Sequence, residues 1–543
     1  MAVPKYGGLS GKPLSLAITS VATTGFLLFG YDQGVMSGII SSPVFIKLLP
    51  ALGGAGGQDG AVMQALVTAI YEIGCLFGAI FVLAYGDRLG RRKAVIVGAS
   101  IMIIGVIIQV TAMAGSVPLA QFIVGRVVTG VGNGMNTSSI PTYQAECSHA
   151  HKRGLLICIE GATIAFGTLI SYWIDFGAMY GPPDLTWRFP IAFQIFFGLY
   201  CIVGMLFLPE SPRWLISRDM FEEGERVIAA INDREINDPD VQAEKRMIID
   251  NIALAGAAGK TRYRDLLTGG KTQHFRRLLL GSSSQFMQQV GGCNAVIYYL
   301  PVLFENSVKM ERTLALLLGG VNMVIYSIFA TLSWFLVERV GRRKLFLVGS
   351  VGQCVAMVIT FACLIPGTKE AAKGAAFGLF LFMATFGATW LPLPWLYPAE
   401  INPIKTRVKA NSVSTCANWM FNFLIVMVTP IMIQGIGWGT YLFFACCNFA
   451  FIPIIYFFYP ETAGRSLEEI DFIFAKGHLE KMSYVHAAHQ LPKLNQEEIE
   501  RKAVEYGFTM DDEEAKLDKL ERLENQKEED MDEKDRRASQ ATS

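Results

Sequence analysis

The feature that most restricts the fold of this chain is a series of long apolar segments along nearly its whole length. Each segment runs for about 18–25 residues, enough for a helix to cross about 30 Å of hydrocarbon. Backbone groups within a bilayer must be hydrogen-bonded internally, so such segments favour helices. The sequence predicts twelve spans, near residues 16–40, 61–85, 94–114, 117–140, 155–178, 189–208, 277–305, 312–337, 345–365, 375–399, 410–434 and 439–459.

Basic residues are concentrated in a few of the loops between these segments. Loops 87–93 and 338–344 carry four Lys or Arg residues each, and 209–276 carries eleven. Loops on the opposite side have almost none. Because loops rich in Lys and Arg remain in the cytosol, and because the number of spans is even, we predict that both termini are cytoplasmic. Lys plus Arg and Asp plus Glu both total 47, so the net charge indicates nothing about partners.

Three signatures recur in the same order in both parts of the chain, at an offset of 251 or 254 residues. The matching pairs are 87–93 with 338–344, 209–211 with 460–462, and Glu146 and Arg153 with Glu400 and Arg407. We therefore predict an all-α membrane protein whose twelve transmembrane helices form two pseudo-symmetric six-helix halves. Transporters built from such repeats bind substrate near the midplane, between the halves, and rock one half against the other.

The pattern of apolar and charged segments also predicts the domain boundaries. The polar segment between the halves has a helical pattern, and the last part of the chain mixes charges with few apolar residues, which is typical of disorder. We predict a cytoplasmic N-terminal tail at 1–15, a first six-helix half at 16–208, a cytoplasmic helical linker at 209–276, a second half at 277–459, and a largely disordered, charged cytoplasmic tail at 460–543.

Asp32 and Arg126 are charged residues inside the first and fourth predicted spans. Asp32 lies nine residues before Ser41, at the outer end of its span, and Arg126 lies eight residues after Pro118, at the outer end of the other. At 1.5 Å per residue both lie roughly 12–14 Å deep, so we expect them to pair. A charge at the bilayer centre costs about 2.5–3.5 kcal/mol and is rarely retained without a function. We interpret the pair as a proton-coupling site, with a purely structural ion pair as the alternative.

Charged residues in the predicted cytoplasmic loops form a second candidate group. Acidic and basic members recur at matching positions, which predicts one ionic cluster in each half. An exposed pair contributes only about 0–1 kcal/mol, but a network can clamp the two halves shut on this face, release when they rock, and so bias which side of the protein opens. The alternative is that the basic loops only set the orientation of the spans. The residues assigned to this cytoplasmic gate are Asp87, Arg91, Glu146, Arg153, Glu210, Glu338, Arg342, Glu400, Arg407 and Glu461.

Six motifs in this chain resemble, in order, those of the sugar porter family of the major facilitator superfamily (MFS). They are GDRLGRRK at 86–93, GRVVTGVG at 125–132, Pro141 with Glu146 and Arg153, PESPRWL at 209–215, QQVGGCN at 288–294 and PETAGRSLEE at 460–469. The likeness extends over residues 10–475 and, at 71–75, 159–167 and 170–177, is greatest to fungal glycerol–proton symporters. The resemblance implies the MFS fold and a transporter.

The resemblance also implies which residues bind substrate. In the family, amides of the seventh and eleventh spans and a tryptophan of the tenth face the sugar. An amide both donates and accepts hydrogen bonds, as a polyhydroxy solute requires, and a tryptophan offers an apolar face to C–H groups. Hydrogen bonding between helices is the alternative role for such amides. The matching residues are Gln288, Gln289, Asn294, Trp395 and Asn418.

The chain departs from the family pattern at three positions. Hexose-binding members carry a glutamine where Gly161 stands, an asparagine where Tyr326 stands, and an acidic residue where Gly387 stands. We include Tyr326 in the substrate site, since it would narrow the cavity. A shorter polyol need not reach the two lost amides, so we predict glycerol or a related linear polyol over glucose. Glu160 or Asn322 could supply the missing contacts and favour a hexose.

These observations predict a proton symporter that imports a small neutral polyol or sugar across a fungal plasma membrane. Proton-coupled members carry an aspartate at the position of Asp32, whereas passive animal facilitators carry an asparagine. Glu72 and Glu160 are further acids in the spans, either paired structurally or part of the proton path. The alternatives are a hexose or pentose transporter, coupled or passive, and a transporter-like nutrient sensor.

The sequence offers little support for other classes of function. It has no phosphate-binding loop, no metal-ligand spacing and no nucleophile–base pattern. We therefore expect no enzymatic activity, no metal and no cofactor, with the proton gradient as the energy source. The expected partners are the solute, protons and the lipid bilayer, with no nucleic acid, and we expect the monomer to be the functional unit.

Overall fold

The computed structural model describes residues 3–54, 59–113, 117–148, 153–257, 263–403 and 405–492, together with Leu494, Glu498, Arg501, Lys502 and Tyr506. Over these ranges the chain is helical and contains no β-strand. The first half comprises α1 (Gly11–Ile39), α2 (Pro43–Leu48), α3 (Gly60–Leu89), α4 (Arg91–Val110), α5 (Pro118–Glu146), α6 (Arg153–Ala178) and α7 (Leu185–Phe207).

The linker and the second half follow in the predicted order. The linker contains α8 (Pro212–Ile216), α9 (Phe221–Asn232) and α10 (Pro239–Ala257). The second half comprises α11 (His274–Val290), α12 (Cys293–Asn306), α13 (Arg312–Val340), α14 (Arg342–Leu364), α15 (Lys369–Ala388), α16 (Leu393–Ile401), α17 (Arg407–Ile436) and α18 (Gly439–Phe458). The start of the C-terminal tail forms α19 (Leu467–Leu479) and α20 (Tyr484–Gln490).

Nine helical segments in the described ranges are long and apolar enough to cross a bilayer. The other three predicted spans correspond to α5, α6 and the pair α11–α12. Large apolar side chains on the outer surface are exposed, among them Phe77 and Phe449 at 59% and 66%. In water such exposure would be unfavourable, whereas lipid accommodates it.

Two of the predicted spans are broken helices. The seventh is interrupted between α11 and α12, where Gly292 has a φ of 98° that side-chain-bearing residues rarely adopt. The tenth is interrupted between α15 and α16, before Pro392. Each break leaves backbone groups without intrahelical partners near the middle of the protein, which is where transporters of this kind form their binding sites.

The helices pack first within each half and then across the interface. In the first half α5 packs on α3 and α4, and α1 packs on α6 and α7. In the second half α11 packs on α17, and α14 packs on α15 and α18. Across the interface α3 lies against α17, α6 against α13, and α1 against α12. These three contacts form the interface between the halves.

The beginning of the predicted tail is folded against the second half. Ser466 and Glu469 form a capping box that starts α19, as the S-x-x-E pattern favours. Asp471 then accepts a hydrogen bond of 2.5 Å from the buried Arg277, whose guanidinium lies 4.7 Å from the centre of the Phe474 ring. Residues 507–543, on which most of the predicted disorder falls, lie outside the described residues.

Candidate functional site

Asp32 and Arg126 form the predicted ion pair in the interior of the first half. Arg126 Nη1 donates to Asp32 Oδ1 at 3.0 Å, and both side chains are buried. Arg126 Nη2 also donates to the Thr68 carbonyl at 3.2 Å, and its guanidinium lies 4.6 Å from the centre of the Tyr71 ring. Within the described ranges Asp32 Oδ2 has no close hydrogen bond, although the side chains of Tyr71 and Gln194 lie near the carboxylate. The pair therefore leaves one carboxylate oxygen free to accept a proton.

The predicted amides of the second half converge at the break between α11 and α12. Asn418 Nδ2 donates to Gln288 Oε1 at 3.2 Å, and Gln289 Nε2 donates to the same oxygen at 3.5 Å. Asn294 Nδ2 donates to Gln289 Oε1 at 2.7 Å. All four side chains are buried. The structure therefore brings together four of the six predicted substrate residues as one hydrogen-bonded cluster.

Two further amides that sequence reasoning missed belong to this cluster. Asn418 Nδ2 donates to Gln285 Oε1 at 2.5 Å, and Asn294 Nδ2 donates to Asn422 Oδ1 at 2.7 Å. Helical spacing could have identified both, because Gln285 precedes Gln289 by four residues and Asn422 follows Asn418 by four. We refer to Gln285, Gln288, Gln289, Asn294, Asn418 and Asn422 as the amide cluster.

Part of the amide cluster also holds the broken tenth span in place. Gln288 Nε2 donates to the Trp390 carbonyl at 2.8 Å, and Gln285 Nε2 donates to the Pro394 carbonyl at 2.7 Å. The Trp390 carbonyl lies in the break between α15 and α16, and the Pro394 carbonyl lacks a donor within α16 because Pro398, four residues on, has no N–H. Trp395 lies in the next turn and is half-buried. The donors of the two glutamines thus serve hydrogen bonding between helices, while their oxygens face the cluster.

The residues that depart from the family pattern lie around the same region. A side chain at Gly161 would start 3.8–3.9 Å from Pro392 and Leu391, across the interface between the halves. Tyr326 is fully buried, with its ring 6.0 Å from that of Phe386, and its hydroxyl has no hydrogen-bond partner in the described part of the chain. The structure therefore places Tyr326 beside α15 without a hydrogen bond to the amide cluster.

The two halves are joined on the side opposite the predicted cytoplasmic loops. Arg312 of α13 donates to the Gly38 carbonyl at 2.8 Å and to Ser41 Oγ at 2.5 Å, both at the end of α1. Glu305 lies 3.4 Å from the same guanidinium. Sequence reasoning missed this contact, since nothing in the spacing indicates that the two regions meet.

The predicted cytoplasmic cluster of the first half is present. Arg91 forms two hydrogen bonds with the Glu146 carboxylate, at 3.0 and 3.1 Å, and one with Asp87 at 2.9 Å. Glu210 accepts from the backbone N–H groups of Arg91 and Arg92 at 3.1 Å. It thereby caps the N-terminus of α4, where the helix dipole favours a negative charge. These residues all belong to the first half or to the chain that follows it directly.

The second half repeats this arrangement. Arg342 donates to Glu400 at 2.7 Å and to Glu338 at 2.9 Å. Glu461 accepts from the backbone N–H of Arg342 at 2.8 Å and from that of Arg343 at 3.1 Å, which caps α14. Each cluster therefore ties together the helix ends of one half. Its predicted effect on which side opens remains a prediction.

The remaining gate residues are only partly described. Arg407 begins α17 and donates to the Asn402 carbonyl at 3.2 and 3.3 Å, which ties α17 to the end of α16. Arg153 begins α6, but its side chain lies outside the described residues. No group of His, Cys, Asp and Glu side chains that could hold a metal ion occurs in the ranges described.

The comparisons with known proteins agree with this architecture. The sequence matches the family described as "Sugar (and other) transporter" over residues 17–474. It is 48% identical over 520 residues to the sugar transporter STL1 of Saccharomyces cerevisiae, a match that covers 94% of this chain and 90% of that protein. It is 46% identical over 511 residues to the major facilitator superfamily transporter mfsA of Aspergillus fumigatus, covering 93% and 94%.

A solved structure extends the likeness to the fold. The proton:xylose symporter XylE, bound to 6-bromo-6-deoxy-D-glucose, has a TM-score of 0.72 at 25% identity, with 86% of this chain and 100% of that chain covered. The predicted all-α fold of two six-helix halves is thereby confirmed, as is the prediction of a transporter rather than an enzyme. The chain belongs to the sugar porter family of the major facilitator superfamily.

Proposed function

We propose that this sugar porter is a plasma-membrane proton symporter that imports a small neutral polyol, with glycerol as the favoured substrate. One observation carries the proposal. A buried carboxylate with a free oxygen, Asp32, is paired with Arg126 in the first half, whereas the amide cluster that suits a polyol lies in the second. Proton and solute would thus bind to opposite sides of the interface that moves during transport.

The ion pair supports proton coupling on physical grounds. A nearby cation favours the ionised form of a carboxyl group, and a dry environment favours the neutral form. A rearrangement of α1 against α5 inside the first half as the halves move would change how closely Arg126 approaches Asp32, and so would switch Asp32 between holding and releasing a proton. One proton that moves down 100 mV supplies about 2.3 kcal/mol, enough for roughly fifty-fold accumulation of a neutral solute.

The residues around the amide cluster support a short polyol. Gly161 and Tyr326 replace two amides with which the family binds hexoses; a glycine has no side chain to bind with, and the Tyr326 hydroxyl makes no hydrogen bond to the amide cluster. A buried hydroxyl without a partner costs about 1–3 kcal/mol, so two losses weaken a hexose by roughly one to four orders of magnitude. A three-carbon polyol is short enough not to need these two positions, and the amide cluster offers donors and acceptors to its hydroxyl groups.

The second candidate function is proton-coupled transport of a hexose or pentose. It is favoured by the family's sugar-binding amides, which are retained and converge at the helix break. The two functions differ in which solute binds better. The proposal therefore depends on a direct comparison of glycerol and glucose.

Uptake by the purified protein in proteoliposomes tests the proposal. We expect labelled glycerol to accumulate inside when an inward proton gradient is imposed and only to equilibrate when it is absent. Unlabelled glycerol should compete at a lower concentration than glucose. If glucose blocks uptake at a far lower concentration than glycerol, the protein is a hexose carrier, and if the gradient has no effect on accumulation, it is a passive facilitator.

A further inference from the structure

Glu72 of α3 is a buried carboxylate for which the transport mechanism above has no role. Its side chain is fully inaccessible to solvent. Glu72 Oε1 accepts a hydrogen bond from the hydroxyl of Tyr298, a residue of α12 in the other half. Glu72 Oε2 has no hydrogen-bond partner within the described ranges. A buried carboxylate oxygen without a close donor is costly, so it is suited to accept a hydrogen bond from a bound molecule.

The surroundings of Glu72 point to what that molecule is. The side chain of Asn422 in α17 interacts with the Glu72 carboxylate as a weak hydrogen-bond donor, and its own Oδ1 accepts from Asn294 at 2.7 Å. Glu72 is therefore a polar group of the first half that adjoins the amide cluster, through Asn422, at the α3–α17 contact. A solute held by the cluster would lie within reach of this carboxylate.

We propose that Glu72 is a substrate-binding residue, whose free oxygen accepts a hydrogen bond from a hydroxyl of the transported solute. The inference rests on the proposed function for the choice of a polyol as solute. A carboxylate only accepts, so it selects a solute with a free hydroxyl to donate, and a hydrogen bond to a charged group is stronger than one between neutral groups.

This contact would also connect binding with movement. The amide cluster belongs to the second half and Glu72 to the first, so a solute that bonds to both holds the halves together around itself. The bond from Tyr298 to Oε1 fixes the orientation of the carboxylate and directs Oε2 towards the solute. Tyr298 is thus a positioning residue in this scheme.

Binding measurements on a Glu72→Gln variant test the proposal, because glutamine keeps the shape and the bond from Tyr298. The probes are glycerol and two diols. Propane-1,2-diol lacks one terminal hydroxyl of glycerol, and propane-1,3-diol lacks the central hydroxyl. We expect glycerol to bind about tenfold more weakly to the variant. On the wild-type protein, the diol that lacks the hydroxyl contacted by Glu72 should bind about tenfold more weakly than glycerol. On the variant, that diol and glycerol should bind with similar affinity.

Asp175→Asn provides a matched control. Asp175 is also a buried carboxylate of the first half with one unpartnered oxygen, but its other oxygen accepts from the Gly38 backbone, away from the amide cluster. The Asp175→Asn variant should bind glycerol with an affinity within about twofold of the wild-type value. If Glu72→Gln fails to fold, Glu72→Asp, which keeps the charge and withdraws the oxygens, is measured by the same criteria.

Three outcomes would overturn the proposal. Glycerol affinity of Glu72→Gln could stay within twofold of wild type, or glycerol and both diols could weaken by the same factor. The variant could also keep its affinity yet lose accumulation, which would place Glu72 in the proton path. If the wild-type protein binds glucose and no polyol, the proposed function fails separately, and the same comparison with glucose and its deoxy analogues still tests Glu72.

Discussion

The two halves of this transporter match at the helix ends that carry the ionic clusters and differ in the middle of the protein. Arg91 with Glu146 in one half corresponds to Arg342 with Glu400 in the other, at 3.0 and 2.7 Å. Ser211 and Thr462 each donate to the corresponding glutamate at 2.6 Å. At the midplane, by contrast, the first half has the ion pair and the second half has the amide cluster.

This difference indicates how a duplicated chain acquires two functions. The cytoplasmic clusters tie the same helix ends together in each half, so both copies must keep the same residues. At the midplane each half faces only its partner, and the two faces can diverge. One half then keeps the charged pair suited to a proton, and the other keeps the amides suited to hydroxyl groups.

The largest effect on transport should come from Asp32→Asn, which removes the proposed proton site of the first half and leaves the solute site of the second half unchanged. The change removes the only proposed proton carrier while the amide cluster stays intact. We expect accumulation against a gradient to be abolished, whereas exchange of labelled for unlabelled solute across the vesicle membrane continues. Both are measured in proteoliposomes with an imposed proton gradient, with Asp175→Asn as the matched buried carboxylate. A variant that still concentrates solute would exclude Asp32 as the proton site.

A smaller effect on transport is expected from variants of the two cytoplasmic clusters. Their turnover numbers would show whether the two clusters contribute equally. Arg342→Ala should lower turnover by roughly tenfold and Arg91→Ala by roughly threefold. The reason is that the Arg342 side chain is only 5% exposed and that of Arg91 17%, and charge-assisted bonds are stronger when buried. Initial uptake rates at several solute concentrations separate turnover from affinity.

Exposed basic residues in the same loops serve as controls for this prediction. Lys93→Ala and Lys344→Ala remove a positive charge from each loop without touching the clusters. They should leave turnover within twofold of the wild-type rate. Arginine variants with a normal maximal rate but much weaker solute binding would contradict the role of the clusters in opening.

The smallest effect on transport is expected from two glycines that precede α4 and α14. Gly90 and Gly341 have φ of 87° and 93° with ψ near 160°, a region that costs other residues about 1–3 kcal/mol. An alanine Cβ would also lie 2.7 and 2.6 Å from the capping oxygens of Glu210 and Glu461. Gly90→Ala and Gly341→Ala should therefore lower thermal stability by similar amounts.

Helical glycines with open space around them provide a control in each half. Among the described residues, no atom lies within 4 Å of a Cβ built on Gly177 or Gly435. Alanine at either position should stabilise its helix by about 0.5–1 kcal/mol. If Gly90→Ala and Gly341→Ala lower thermal stability by different amounts, the caps formed by Glu210 and Glu461 are not equivalent, despite their matching geometry.

Some parts of the site followed from sequence because they depend on local spacing. Asp32 and Arg126 could be paired from their depths along two helices, and the cytoplasmic clusters from the internal repeat. Gln285 and Asn422 were within reach of the same reasoning, since each lies one helical turn from a predicted amide. The bond between Glu72 and Tyr298 was not, because α3 and α12 are far apart in the chain and belong to different halves.

The sequence by itself determined the spans, the duplication and the family, because these depend on the length, polarity and order of segments. Only the tertiary structure decided which polar groups meet across the interface and which of their atoms remain free. Gln288 shows the reason. Its sequence position indicates a buried amide, but its Nε2 is bound to the Trp390 carbonyl and its Oε1 faces Asn418, a division set by how two broken helices pack against each other.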